Sequence, residues 1–316
     1  METLPCPICG LKSFESYIEV PDRFNAAARW KIVRSPSSGF IMLNPRPDAS
    51  EIAGYYHEGP EGSYDPHLHK CSAASTEARL YLKVRSLLLN RKSSMVLDGA
   101  QKAPAECRIL EIGCSTGDLL NYLHQKKGIP AENLSGIETD PNAASAAETH
   151  SGISIFRNGI HELNRQGTFD RIVFWHALEH LHDLNGILGE CSWRLNSDGI
   201  MVVALPNPES RDARHYRENW VAWDAPRHLW HFTPATLGTL LERHELEIFR
   251  TGFWLPDTLY NCWHSEKLIA NLENRTFGLR EITETLLQTS LGIASSLFSL
   301  RNASSIVYYI RRKERI

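Results

Sequence analysis

Three groups of residues have types and spacings suited to chemistry. The first is Arg108-Ile-Leu-Glu-Ile-Gly-Cys-Ser-Thr-Gly117, with Glu138 following 21 residues after Gly117 in Leu-Ser-Gly-Ile-Glu-Thr-Asp. The second is a pair of histidine-rich stretches, Trp175-His-Ala-Leu-Glu-His-Leu-His-Asp183 and Asp224-Ala-Pro-Arg-His-Leu-Trp-His-Phe232. The third is Cys6-Pro-Ile-Cys9-Gly. In the first group, an apolar run containing β-branched residues reads as a buried parallel strand that breaks at Gly113, and Asp118 onward reads as a helix start. Gly113 lets the chain turn without a Cβ, and Gly117 lets the backbone pass close to a ligand. An acidic side chain at the end of the next strand, Glu138, can accept two hydrogen bonds from ribose hydroxyls. The pattern is that of a nucleoside site on an open α/β sheet. An ordinary glycine-containing turn competes with this reading for the loop alone, but not for the loop together with Glu138.

The kind of nucleoside follows from what the loop lacks. A dinucleotide loop has glycine at its first, third and sixth positions, so that a pyrophosphate can sit on the helix N-terminus. Here the third position is Ser115 and the sixth is Asp118. A carboxylate there repels a pyrophosphate and argues against an NAD-dependent oxidoreductase. A cationic, phosphate-free ligand fits better, and S-adenosylmethionine is one. At these residues the chain resembles the class I S-adenosylmethionine-dependent methyltransferases, whose first motif has the form Glu-x-Gly-x-x-x-Gly. The resemblance implies a Rossmann-like, doubly wound, seven-stranded sheet whose last strand is antiparallel. It also implies cofactor contacts. Backbone at Gly113, Cys114 and Gly117 would approach the methionine part, Glu111 its ammonium, Glu138 the ribose and Asn158 the adenine, with Ser115 and Thr139 also binding the cofactor, and Trp175 and His176 its contacts in the stretch that closes over it.

The elements that must position these residues alternate. Strands are expected at 108–112, 134–138, 153–157, 169–175 and 199–205, with helices near 117–126, 141–149 and 184–195, which implies a parallel sheet covered on both faces. A helix opening at Thr233-Pro234, a strand at 246–253 and a last strand at 305–312 follow. The chain divides into residues 1–45, a small separate unit; 46–100, a helical lid or linker with a helix over 75–90; 101–256, the cofactor-binding core; 257–303, a helical insertion; and 304–316, the last strand and a basic tail. Tyr55, Tyr56 and Tyr64 lie where a lid would touch ligand, or would simply pack the lid down. The insertion segment 286–300 reads as a helix packed on the sheet or on a second subunit, giving a homodimer. A helix meeting a membrane is disfavoured, because its polar positions lack lysine and arginine.

Cys6 and Cys9 form half of a zinc knuckle. The matching frame, Ser35-Pro-Ser-Ser38-Gly, has serine at both ligand positions, and serine does not replace a zinc-bound thiolate. Related methyltransferases carry a four-cysteine ribbon ahead of the core, so this segment reads as a degenerate, metal-free ribbon. His67, His69 and Cys71 are the other residues available to complete a site, though their spacing does not ask for it.

On the acceptor side, methyl transfer to a hydroxyl needs a group to take the proton, and histidine titrates in the useful range. The Pro-Arg-His-Leu-x-His-Phe segment resembles one found in methyltransferases of sugars and small molecules, where a histidine acts as base. This makes His228 the candidate base and His176 the runner-up, with Arg227 and Asp224 orienting base or substrate. His231, beside Phe232, reads as a satisfied packing residue, and Glu179 and His180 as residues that fix their loop. The three tryptophans between 219 and 233 suit a sugar ring and suit a core equally. The expected acceptor is a hydroxyl of a sugar or secondary metabolite, with a cofactor-binding but inert accessory protein as the rival reading.

Net charge of -3 and a pI near 6.5 give no general attraction to nucleic acid. Seven cysteines, an odd number with one inside the cofactor loop, suit free thiols in a reducing compartment. No signal segment or membrane-spanning run is read, so a cytoplasmic location is expected.

Overall fold

The computed structural model describes residues 1–25, 27–56, 76–163 and 167–313. Tyr64, His67, His69 and Cys71 lie outside the described residues. In chain order the strands and helices are β1 (Glu15–Pro21), β2 (Arg29–Arg34), β3 (Ile41–Leu43), α1 (Thr76–Leu97), β4 (Ile109–Ile112), α2 (Asp118–Lys127), β5 (Leu134–Ile137), α3 (Pro141–Ser151), β6 (Ser154–Phe156) and β7 (Phe169–Trp175). Then follow α4 (Leu184–Arg194), β8 (Leu195–Pro206), α5 (Arg211–Tyr216), β9 (Trp230–His231), α6 (Pro234–Glu242), β10 (Leu246–Phe253), α7 (Pro256–Leu272), α8 (Leu279–Phe298) and β11 (Ser305–Arg312).

Seven strands form one sheet in the order β10-β11-β8-β7-β4-β5-β6. β4 pairs in parallel with both β5 and β7, and β5 with β6. The last strand, β11, pairs antiparallel with β10, as expected. Every residue of β4 is buried, and all of β7 but its last residue, which is why both read as unbroken apolar runs. Chain order departs in opposite directions from β4, to β5 and to β7. The carboxyl ends of β4 and its neighbours therefore flank a topological switch point, where open sheets bind ligands.

The chain sorts into two compact units, one of Tyr56–Trp175 with Gly189–Val202, the other of Met1–Tyr55, His176–Leu188 and Val203–Ile316. In the first, local signals set the helix bounds. Asp140 caps α3 by accepting from the Asn142 and Ala143 amides at 2.9 and 2.8 Å, Pro141 takes the first helical position, and Gly152 stops the helix in the left-handed region. α1 runs past the expected end at 90. Ser93 and Ser94 each donate to the Asn90 carbonyl at 2.8 Å, which lets polar residues sit inside a helix.

In the second unit, residues 1–45 are not the separate body expected. β1, β2 and β3 form an antiparallel sheet that β9 completes, pairing Ile41 with His231 and Met42 with Trp230. The physical reason is that β3 is buried throughout and needs a partner on its open edge. Two similar turns face one another near the N-terminus. The Gly10 amide donates to the Cys6 carbonyl and the Gly39 amide to the Ser35 carbonyl, with φ of 73° at both glycines. Cys6 Sγ lies 3.1 Å from Ser38 Oγ and Cys9 Sγ 3.5 Å from Ser35 Oγ. The six described cysteines are all free.

The insertion is two helices. α7 and α8 approach so closely that a Cβ on Gly292 would stand 2.7 Å from Thr258 Cγ2. Leu286, Leu287, Leu297 and Phe298 of α8 are exposed. Among the described residues, no helix is long and apolar enough to cross a membrane.

Candidate functional site

Glu138 follows β5 and is held by two backbone donors. The Ser115 amide donates to Oε2 and the Asp140 amide to Oε1, each at 2.9 Å. Its two oxygens are thereby fixed at the end of β5 and tied to the loop after β4. That loop turns through left-handed conformations at Gly113 (φ 74°), Ser115 (φ 48°) and Gly117 (φ 73°). Such a φ is uncommon for serine, and the bond to Glu138 offsets its cost. Gly113 is exposed. Gly117 is not the open approach to ligand that its type suggests, because a Cβ there would stand 3.0 Å from Ala147 Cβ of α3. Its glycine is required by φ and by helix packing. The Cys114 thiol is buried and pushed upward by burial and then by Glu111, so only its backbone is available to a ligand.

Glu111, inside β4, is 2% exposed. Its Oε1 lies 3.3 Å from Lys92 Nζ of α1, and among the described residues its buried Oε2 has no hydrogen-bond partner. Burial raises its pKa, against the pull of Lys92. The Lys92 ammonium also stands 4.9 Å from the centre of the Trp175 ring at the end of β7. Sequence reasoning missed Lys92, since it belongs to no motif and α1 lacks a clean amphipathic pattern. The orphaned oxygen of Glu111 suits a further cation such as an ammonium. Asp118, in the first turn of α2, pairs with Arg85. The favourable end of that helix thus already has its anion, leaving no call for a phosphate. Asn158 is exposed after β6, and its amide is taken by Glu162, which also accepts from its backbone at 3.2 Å. Thr139 is exposed between Glu138 and Asp140. The parallel register brings Gly113, Ser115, Glu138, Thr139, Asn158 and Trp175 to the carboxyl ends of β4 to β7, and these residues fit a cationic nucleoside such as S-adenosylmethionine.

The histidine group belongs to the other unit. His176 has a strained φ of 53°, and both its ring nitrogens face carboxylates, Nε2 at 2.7 Å from Asp257 and Nδ1 at 3.5 Å from Glu179. Burial would lower its pKa, but Asp257 and then Glu179 prevail and hold it up at about 10. It is an imidazolium at neutral pH. Asp257, at the start of α7, was not foreseen, for nothing in the sequence links it to His176. Glu179 itself is drawn down to about 2, the penalty of burial being overcome by His176 and the other nearby histidines. It was expected to fix its loop by hydrogen bonds, yet among the described residues both carboxylate oxygens are buried without one.

His228 donates from Nδ1 to the Ala222 carbonyl at 2.9 Å, and its Nε2 stands 4.0 Å from Glu179 and 3.9 Å from Asp224. Burial, with His180 beside it, pushes His228 down to about 4. Arg227 is fully buried and donates to Asp224 at 2.8 and 3.0 Å, to Asp22 at 2.9 Å and to the Tyr55 carbonyl at 3.1 Å. Arg23 adds a second cation 3.0 Å from Asp224. Arg227 is therefore a buried tie rather than a substrate contact, and through Asp224 it sets the surroundings of His228. His231 packs edge-on against Trp223 at 4.9 Å, as a packing residue should, but among the described residues its buried Nε2 has no hydrogen-bond partner.

The tryptophans are core. Trp220, Trp223 and Trp230 are all buried, and their indole N–H groups donate to Asp212, the Arg217 carbonyl and the Leu181 carbonyl at 2.8, 2.7 and 2.6 Å. With faces packed and donors used, they provide no platform for a sugar ring.

Comparison with known proteins places the chain among methyltransferases. The chain is 27% identical over 182 residues to a ubiquinone biosynthesis O-methyltransferase of Rhodopseudomonas palustris (strain BisB5), covering 55% of this chain and 68% of that protein. A homologue of the same name from strain HaA2 is 27% identical over 172 residues, 52% of this chain and 64% of its own, so the chain spans about two thirds of these relatives. Among solved structures, a putative sarcosine dimethylglycine methyltransferase from Galdieria sulphuraria aligns over 80% of this chain and 92% of its own, with 13% identity and a TM-score of 0.49. The model of a methyltransferase-domain family matches residues 75–251, more than half of the chain. The chain belongs to that family, the S-adenosylmethionine-dependent methyltransferases of class I.

Proposed function

We propose that the protein transfers a methyl group to a hydroxyl oxygen of a small polar acceptor, a sugar or secondary metabolite, with His228 taking the proton. S-adenosylmethionine supplies an electrophilic methyl group on a sulfonium that departs as a neutral thioether. Glu138 would hold the ribose and Glu111 the ammonium, with the backbone at Gly113 and Ser115 beside the methionine part. Thr139, Asn158 and Trp175 would line the nucleoside. An oxygen acceptor finds support in the relatives, named as O-methyltransferases.

The observation that carries the choice of base is the contrast between the two histidines. His176 has a carboxylate at each nitrogen and is already protonated. His228 is neutral and has committed only Nδ1, so Nε2 can accept. As the acceptor oxygen forms its bond to the methyl carbon and the carbon–sulfur bond breaks, the hydroxyl proton passes to His228 Nε2. The imidazolium so formed is stabilised by Glu179 and Asp224. Free thiols at the six described cysteines support a reducing compartment, hence the cytoplasm.

The test is incubation with methyl-labelled S-adenosylmethionine and a panel of phenols, sugars and amines. O-methylated product is expected. N-methylated product would overturn the acceptor class, and bound cofactor with no turnover on any acceptor would favour an inert accessory protein.

A further inference from the structure

We infer that the outer face of α8 is a docking surface for a second copy of this chain, whose own α8 packs on it antiparallel about a two-fold axis at Ser290. The helix is built inside out. Its buried face carries Glu281, Thr285, Gln288, Thr289, Gly292 and Ser296, while Leu279, Leu286, Leu287, Leu291, Leu297 and Phe298 are exposed. At about 100° per residue the two sets fall on opposite sides of the helix. The polar side is held inward by its partners. Gln288 accepts from Arg211 at 2.6 Å and donates to Glu284 at 2.7 Å, and Gly292 lets α7 approach where a Cβ would meet Thr258. Rolling the helix to bury its leucines would break these contacts.

The size of this face is that of an interface. The six side chains are between 41% (Leu291) and 92% (Phe298) exposed. Together they present on the order of 700 Å² of apolar surface, more than the ~300–600 Å² patch of a typical monomer and close to the ~800 Å² that each partner gives to a standard interface. Leaving such an area in water forgoes the main favourable term in association.

Its shape says what covers it. Thr283, Ser290 and Ala294, all exposed, run down the middle of the face between the larger side chains. An antiparallel copy centred on Ser290 sets Leu286 opposite the partner's Ala294 and Thr283 opposite the partner's Leu297. Each large side chain then meets a small one, the interdigitation that lets helix axes approach to about 8–10 Å. The contact is self-complementary and closes as a two-fold dimer. With α7 packed on α8 in each copy, four helices meet in one bundle. A lipid surface fits less well. No charged residue follows Glu284 within α8, and the chain carries a net charge of -3, so the basic residues that draw interfacial helices to anionic headgroups are missing. The dimer does not depend on the methyl-transfer reading, and its test needs neither cofactor nor acceptor.

The experiment is sedimentation velocity of the full chain at micromolar concentration. A species of twice the 35.8 kDa chain mass is expected. The double variant Leu287→Glu, Leu291→Glu should sediment at the single-chain mass with an unchanged circular dichroism spectrum. If that variant fails to fold, cross-linking decides. Ser290→Cys, oxidised with glutathione disulfide, should give a chain-to-chain disulfide absent from the parent, because the two-fold axis brings the two introduced thiols together. Thr283→Cys should not, since its two copies would stand roughly 21 Å apart along the helices. A parent of single-chain mass would overturn the inference, as would a dimer that survives the double variant or equal cross-linking at positions 283 and 290. A monomeric parent that co-sediments with phosphatidylglycerol vesicles would give the face to lipid instead.

Discussion

Glu138 and Glu179 are both carboxylates placed just beyond parallel strands, and they are treated in opposite ways. Each oxygen of Glu138 receives a backbone amide, whereas among the described residues neither buried oxygen of Glu179 has a hydrogen bond and its neighbours are the His176 and His228 rings at 3.5 and 4.0 Å. A carboxylate fixed by amides keeps its remaining lone pairs aimed at neutral hydroxyls, which suits a ribose. A buried carboxylate that meets imidazoles, His176 at 3.5 Å and His228 at 4.0 Å, is poised for positive charge, such as an imidazolium formed during proton transfer. The proposed function thus rests on a nucleoside half preset for binding and a histidine half charged for chemistry. The two halves should fail differently when damaged.

The largest effect should come from the histidine half. His228→Asn keeps the donor to Ala222 but removes the proton acceptor, and turnover should fall about 10²–10⁴-fold. Affinity for S-adenosylhomocysteine should stay within about twofold of the parent. Kinetics with calorimetry would check both; equal losses of turnover and affinity would erase the contrast between the halves.

A smaller effect belongs to Glu111. Burial raises its pKa above the ordinary 4.5, so the folded chain holds that proton more tightly than the unfolded chain. The stability it contributes is present in acid and lost as pH rises through the folded value. Glu111→Gln, neutral throughout, should therefore gain in Tm relative to the parent as pH climbs from below 4.5 to neutrality, while its cofactor affinity drops severalfold. Thermal melts across that range would show it. A Tm difference independent of pH would mean that Glu111 is not under such strain.

The nucleoside half was legible because it is local. Glu111, Gly113, Gly117 and Glu138 sit in one β-α-β unit, where strand register alone brings them to a common edge. Even there, the sequence could not distinguish a glycine needed for ligand from one needed for Ala147, nor find Lys92. The parallel sheet followed from the alternation of elements, whereas the seven strands and the antiparallel last strand followed from the resemblance to class I methyltransferases. The histidine half was legible only as a list of residue types. His176 meets Asp257, and Arg227 meets Asp22, across long stretches of chain that no spacing rule connects. Tryptophan misled for a related reason. Its composition near residues 219–233 is the same whether the rings face a ligand or, as with Trp230 donating to Leu181, the interior.

The most direct test of the account is calorimetric titration of the parent protein and Glu138→Ala with S-adenosylhomocysteine. One molecule should bind per chain, with a loss of about 10–100-fold in affinity in the variant, the worth of one or two hydrogen bonds to a charged acceptor. Equal affinity in the two proteins would place the nucleoside elsewhere and contradict the role given to Glu138.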